Sequence, residues 1–255
     1  MEHMETRRLI PGSRIAVLFL HGIAGTPNHF RTRISLETLV PDIWSVINVR
    51  YPGHGGNVPD FGRSTIGQWR GHARDAFLEL AESHEKVLIV GHSMGTLFAM
   101  ELALEFPEKT AGLFLLNVPL RPWVRPSMAV RCVKLAFGGL NPDRPLEKAL
   151  EEACGVTPTA LVWQYLSWIP RVFELFREIV AVERSMGALN VPCVAWQSGK
   201  DELVSNLTAP VLRRSGVMEV RELKSSTHFY YAPVDAGEIC GEFVQWLKKT
   251  AFPVA

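Results

Sequence analysis

The chain has 255 residues, long enough for one large buried core. Its 27 Lys and Arg against 26 Asp and Glu leave a formal net charge of +1, with no electrostatic pull toward nucleic acid or an anionic membrane, and no stable membrane insertion is expected. No apolar run approaches a membrane span, and 20 Gly and 17 Pro spread along the chain punctuate turns, which excludes a coiled coil, a fibre and a disordered tail.

The first residues carry charge but no apolar segment ahead of a cleavage site, so no secretion signal is read and a cytoplasmic location is expected. Residues 15–20 (IAVLFL) form a continuous apolar run that stops at His21-Gly22-Ile23-Ala24-Gly25. Residues 44–49 (WSVINV) form a second, stopped by Arg50-Tyr51-Pro52-Gly53-His54-Gly55-Gly56. A helix is predicted over 65–83, with Trp69, Ala73, Ala76, Phe77 and Leu80 at helical spacing. Residues 86–90 (KVLIV) read as a third strand, followed directly by Gly91-His92-Ser93-Met94-Gly95 and a helix to 106. Residues 113–118 are a fourth strand, closed by Pro119. These four lack period-two alternation, as parallel strands covered on both faces do.

The rhythm then breaks. From 119 to 190 there is no convincing strand, only helical patterns over 129–137, 146–153, 160–168 and 172–186. Strands return at 193–197 and 218–223, and a last helix covers 236–248. The expected fold is α/β, a mostly parallel central sheet flanked by helices. Its core would be 1–118 with 191–255, and 119–190 would be an inserted helical cap beyond the carboxyl ends of the strands.

Gly91-His92-Ser93-Met94-Gly95 sits where a strand turns sharply into a helix, which lifts the Ser93 hydroxyl above the sheet and requires small neighbours. A serine nucleophile needs a base and a group that orients the base. Of eight histidines only His228 follows Ser93, so a Ser–acid–His order makes it the base. Asp201, in the loop after the fifth strand, is the expected acid; Glu202 is its rival, Asp143 lies in the cap, and Asp235 reads as a helix N-cap. The oxyanion donors would be the amides of Met94 and Ile23. His21 reads as a supporting hydrogen-bond residue, His92 as packed beside the turn, and His54 as structural.

No metal-ligand spacing occurs and no cofactor is implied. The four cysteines, Cys132, Cys154, Cys193 and Cys240, are expected reduced, with Cys132–Cys154 the one pairing left open. Cap residues such as Trp123, Met128, Val130, Phe137, Leu161, Trp163, Trp168, Phe173 and Phe176 are expected as cap core or as the wall of an apolar acyl pocket. Arg121 and Arg125 flank Trp123 and are either solvated or turned toward an acidic leaving group.

HGIAG, RYPGHGG, GHSMG, KDELV and THF, in this order and spacing, resemble the α/β-hydrolase superfamily over about 15–247. Size and a single helical cap resemble its small bacterial carboxylesterases and monoacylglycerol lipases. The resemblance implies Ser93 as nucleophile, Asp201 as acid, His228 as base, and Ile23 with Met94 as oxyanion donors. It implies hydrolysis of small-molecule esters with an apolar acyl part. Thioesterase, carbon–carbon bond hydrolase, cofactor-free haloperoxidase and non-catalytic binding protein remain the alternatives on the same fold. Oligomeric state is not read from the sequence.

Overall fold

The computed structural model describes residues 3–251. Among these residues seven strands form one sheet: β1 (Thr6–Arg8), β2 (Ile15–Leu20), β3 (Ser45–Asn48), β4 (Lys86–His92), β5 (Thr110–Leu116), β6 (Cys193–Ser198) and β7 (Glu219–Leu223). Their spatial order is β1-β3-β2-β4-β5-β6-β7. All neighbours run parallel except β1, which pairs antiparallel with β3. The sheet is thus mostly parallel, as expected.

β1 is the strand the sequence reading omits. It has no apolar residue in Thr6-Arg7-Arg8, and charged side chains on an exposed edge are what protects such an edge from further pairing.

The described residues form eight α-helices: α1 (Val58–Arg63), α2 (Ile66–Ser83), α3 (Met94–Glu105), α4 (Pro126–Ala136), α5 (Pro145–Ala153), α6 (Ile169–Ser185), α7 (Thr208–Arg214) and α8 (Pro233–Ala251). The two faces of the sheet bury separate cores. Leu18, Ile89, Leu115 and Ala195 pack on the side of α2 and α3, whereas Val17, Val90, Phe114 and Trp196 pack on the side of α8. Burial on both faces explains why these strands read as unbroken apolar runs.

α1 and α7 are too short for a periodic signal and were not expected. Between β5 and β6 the described chain forms no strand, only helices joined by loops, and 162–168 is a 3-10 helix. Pro170 is the second residue of α6 and has no N–H to donate, so an α-helix is not continued through it from 162–168. Cys132, Cys154, Cys193 and Cys240 are free thiols, so the pairing left open by the sequence is not made. Among the described residues no helix is long and apolar enough to cross a membrane.

α2 starts with a reciprocal cap. Thr65 accepts from the Gln68 amide, and the Gln68 side chain accepts from the Thr65 amide. Thr65→Ala is expected to lower unfolding free energy by about 1 kcal/mol in urea titration. An unchanged midpoint would show that the cap contributes nothing.

Candidate active site

The turn from β4 into α3 forces Ser93 to φ 51°, a left-handed conformation that side chains rarely adopt. Crowding fixes the flanking glycines. A Cβ on Gly95 would collide with the Leu20 carbonyl oxygen, and one on Gly91 would stand 2.8 Å from the Thr96 Cα. The strained turn is tied down by Ser93 N donating to Leu116 O at 2.9 Å and Thr96 Oγ1 donating to Ser93 O at 2.6 Å.

Three loops at the carboxyl ends of β4, β6 and β7 converge. His228 Nδ1 lies 2.7 Å from Asp201 Oδ2, and His228 Nε2 lies 3.0 Å from Ser93 Oγ. A carboxylate only accepts, so the imidazole proton belongs on Nδ1 and the Nε2 lone pair receives the Ser93 hydroxyl. All three residues are buried. Asp201 Oδ1 accepts the amides of Leu203 and Val204 at 2.7 and 2.8 Å, which fixes its loop. A hydroxyl in this setting can pass its proton to the imidazole as it attacks a carbonyl.

Ile23 lines the same cavity as Ser93, and a Cβ on the adjacent Gly22 would stand 2.9 Å from the Ser93 Cβ. Met94 opens α3, where amides have no intrahelical acceptor. His21 Nδ1 donates to Gly22 O at 2.9 Å, a bond that steadies this loop.

The rival acid, Glu202, is beside the site in another way. Its Oε2 accepts the His228 amide at 3.1 Å, and its Oε1 pairs with Arg131 of α4 at 2.8 Å. Asp143 is exposed in the segment between α4 and α5, away from this cavity. Asp235 is not the N-cap of the last helix. It lies within the first turn of α8, and its Oδ2 accepts from Ser225 N and Ser226 Oγ at 2.9 and 2.7 Å, holding the loop that carries His228. Sequence reasoning also missed Asn117, which donates to His228 O at 3.3 Å from a left-handed turn at φ 54°. An Asn at a strand end was its only signal.

His92 is packed, and it too donates to His228 O, at 3.1 Å. Its ring stacks on His29 at 3.7 Å between centroids, and His29 Nε2 reaches the Tyr231 hydroxyl at 3.2 Å. His54 is buried against Tyr51, Phe61 and Trp69. Burial holds His21, His29 and His92 well below the ordinary histidine range, and brings His54 down to about 3.

A cavity of about 190 Å³ opens on Ser93 and His228. A second of about 380 Å³ lies beneath α4 and α5, walled by Met128, Leu135, Leu150, Val156 and Trp168 and by the thiols of Cys132 and Cys154. Ile23, Ala153, Leu203 and Phe229 belong to both walls and separate the two chambers. Of the expected cap residues, Phe176 lines the outer chamber and Met128 and Trp168 the inner one. Trp123, Val130, Phe137, Leu161, Trp163 and Phe173 do neither, and they are not cap core; they are exposed. α4 has apolar residues on two sides, with Met128, Cys132 and Leu135 turned inward, and a one-stripe reading assigns only one. Arg121 forms a two-pronged ion pair with Glu183 at 2.6 and 2.7 Å, and the Arg125 amide donates to Glu202 O at 2.8 Å.

A family model described as alpha/beta hydrolase family matches residues 17–238. A thermostable monoacylglycerol lipase from Bacillus sp. strain H-257 is 28% identical over 248 residues, which are 93% of this chain and 92% of that protein. The dihydrolipoyllysine-residue acetyltransferase component of an acetoin cleaving system from Cupriavidus necator is 30% identical over 106 residues, 42% of this chain but only 27% of that longer protein. Among solved structures, one from a study of the metagenome-derived lipolytic enzymes LipS and LipT shares the fold, with TM-score 0.73 and 24% identity over 97% of this chain and 98% of its own.

The buried histidines make stability acid-sensitive. Their folded-state proton affinity lies below the unfolded value of 6.5, so the unfolded chain binds more protons and stability falls as pH drops below 6.5. For His54 the loss continues to about pH 3. His54→Phe is expected to make the fall between pH 6 and 4 shallower by about 1.4 kcal/mol per pH unit in denaturant titrations. An identical slope in the variant would show that His54 is not held neutral.

Proposed function

The chain belongs to the alpha/beta hydrolase family, and we propose that it is a serine esterase cleaving carboxylic esters with apolar acyl chains of small to medium length. The observation that carries this reading is the line from Ser93 Oγ to His228 Nε2 and from His228 Nδ1 to Asp201, opening into an apolar chamber. The monoacylglycerol lipase relative, matched over nearly its whole length, supports an ester as the substrate class.

In this mechanism Ser93 Oγ attacks the acyl carbon as its proton passes to His228 Nε2. The carbonyl electron pair moves onto oxygen, where the amides of Ile23 and Met94 receive it. Collapse of the tetrahedral intermediate breaks the bond to the leaving oxygen, which departs with the proton from Nε2. Water then attacks the acyl-enzyme, giving its proton to the same nitrogen, and the carboxylic acid is released as Ser93 regains its own. Asp201 holds the Nδ1 proton throughout and offsets the charge on the imidazolium. Residues 119–190 act as a cap, and the two chambers take the acyl chain. No cofactor or metal takes part. The reducing, cytoplasmic setting belongs to the same proposal, on four free cysteines without a disulfide framework.

Turnover of a p-nitrophenyl ester series from acetate to palmitate is expected to peak at a medium chain length. Ser93→Ala should lower kcat by roughly 10⁴- to 10⁶-fold. Silence of the folded wild-type protein across the whole series would overturn the esterase reading.

A further inference from the structure

Glu202 is 5% exposed, and a carboxylate is costly to bury unless both oxygens find partners. Its two partners belong to different parts of the molecule. Oε2 accepts the main-chain amide of His228 at 3.1 Å, and Oε1 takes Nη1 of Arg131, on α4, at 2.8 Å. Three side chains hold the His228 peptide: His92 and Asn117 on its carbonyl, and Glu202 on its amide. The first two stand on the core strands' ends, whereas Glu202 also grips α4.

The same stretch of chain is fastened to the approach to α4 by its backbone. Trp123 N donates to Leu203 O at 2.7 Å, Arg125 N to Glu202 O at 2.8 Å, and Ser205 N to Arg121 O at 2.8 Å. Arg125 immediately precedes α4, and Arg131 lies more than a turn further along it. Arg131 is therefore the point at which the body of the helix, rather than its start, is tied to the loop of Asp201. Next to it on the helix, Met128, Cys132 and Leu135 roof the inner chamber. Whatever fills that chamber bears on α4, and the Arg131–Glu202 pair links the body of α4 to the His228 amide.

We propose that Glu202 is a positioning residue for His228, and that the Arg131–Glu202 pair conveys filling of the inner chamber to the base. The inference rests on the esterase reading above. A chain long enough to enter the chamber holds α4 in place, and Arg131 with it keeps Glu202 in the position that receives the His228 amide. Chain length accordingly raises kcat as well as lowering KM, because the contact is used to align the reacting groups rather than only to bind. The same holds in deacylation, when the acyl chain is still in the chamber and His228 acts on water.

The test measures kcat and KM separately for p-nitrophenyl acetate and decanoate in the wild type, Arg131→Met, Arg131→Lys and Glu202→Gln. The wild type is expected to turn over decanoate about tenfold faster than acetate at saturation. In Arg131→Met and in Glu202→Gln that ratio should fall to about one, while KM still drops with chain length; Arg131→Lys should restore part of it. Arg131→Met leaves a buried carboxylate unpaired and is open to misfolding. The double variant Arg131→Met/Glu202→Gln buries no unpaired charge, keeps an acceptor for the His228 amide, and should show the same collapsed ratio. An unchanged ratio in the folded variants, or a wild-type kcat flat with chain length, overturns the link and leaves the esterase reading standing. A wild type inert toward every ester overturns both.

Discussion

Everything at the site depends on how closely β4 and α3 approach the end of β2. The helix must begin on the residue after Ser93, and Gly95 lies directly against the Leu20 carbonyl, so no gentler turn fits. Ser93 absorbs the bend with a left-handed backbone, a strain the sheet can hold because both of its faces are buried in separate cores. The hydroxyl is thereby presented beyond the sheet edge, where the loops after β6 and β7 bring Asp201 and His228 to meet it.

The histidines around that line are buried and neutral. His21, His29 and His92 crowd the site, yet burial keeps them from taking up protons near neutral pH. They serve as shaped, hydrogen-bonding walls: His21 ties down the Gly22 turn and His92 donates to the His228 carbonyl. The position of His228 thus rests on a shell of neutral donors on one side and on the buried Glu202 carboxylate on the other. That division links the imidazole to the rigid core and to α4 at once.

Much of this was legible because strong local patterns coincide with the elements that carry the site. Apolar runs without alternation mark β2, β3, β4 and β5, and the glycines around Ser93 mark the turn. Asp201 and His228 follow strands in the expected order, and the structure brings Asp201 within hydrogen-bond reach of His228 and His228 within reach of Ser93. What escaped is set by contacts across the fold. β1 shows no apolar signal because its edge is charged, and the partner of Asp235 is a loop rather than its own helix. Glu202 looks from the chain like a rival to its neighbour, whereas the direction of its side chain, toward Arg131 and the His228 amide, exists only in three dimensions. The outward apolar residues of α4 escaped for the opposite reason, since periodicity identifies a stripe but not what covers it.

The central claim is that Ser93 is the residue that becomes acylated. The most direct measurement is mass spectrometry of the protein after exposure to an alkyl fluorophosphonate, an irreversible mimic of the acyl step, followed by peptide mapping. The account predicts one adduct per chain, on the peptide containing Ser93, and its loss when His228 is replaced by Ala. An adduct on another residue, or labelling of Ser93 that is equally fast without His228, would contradict it.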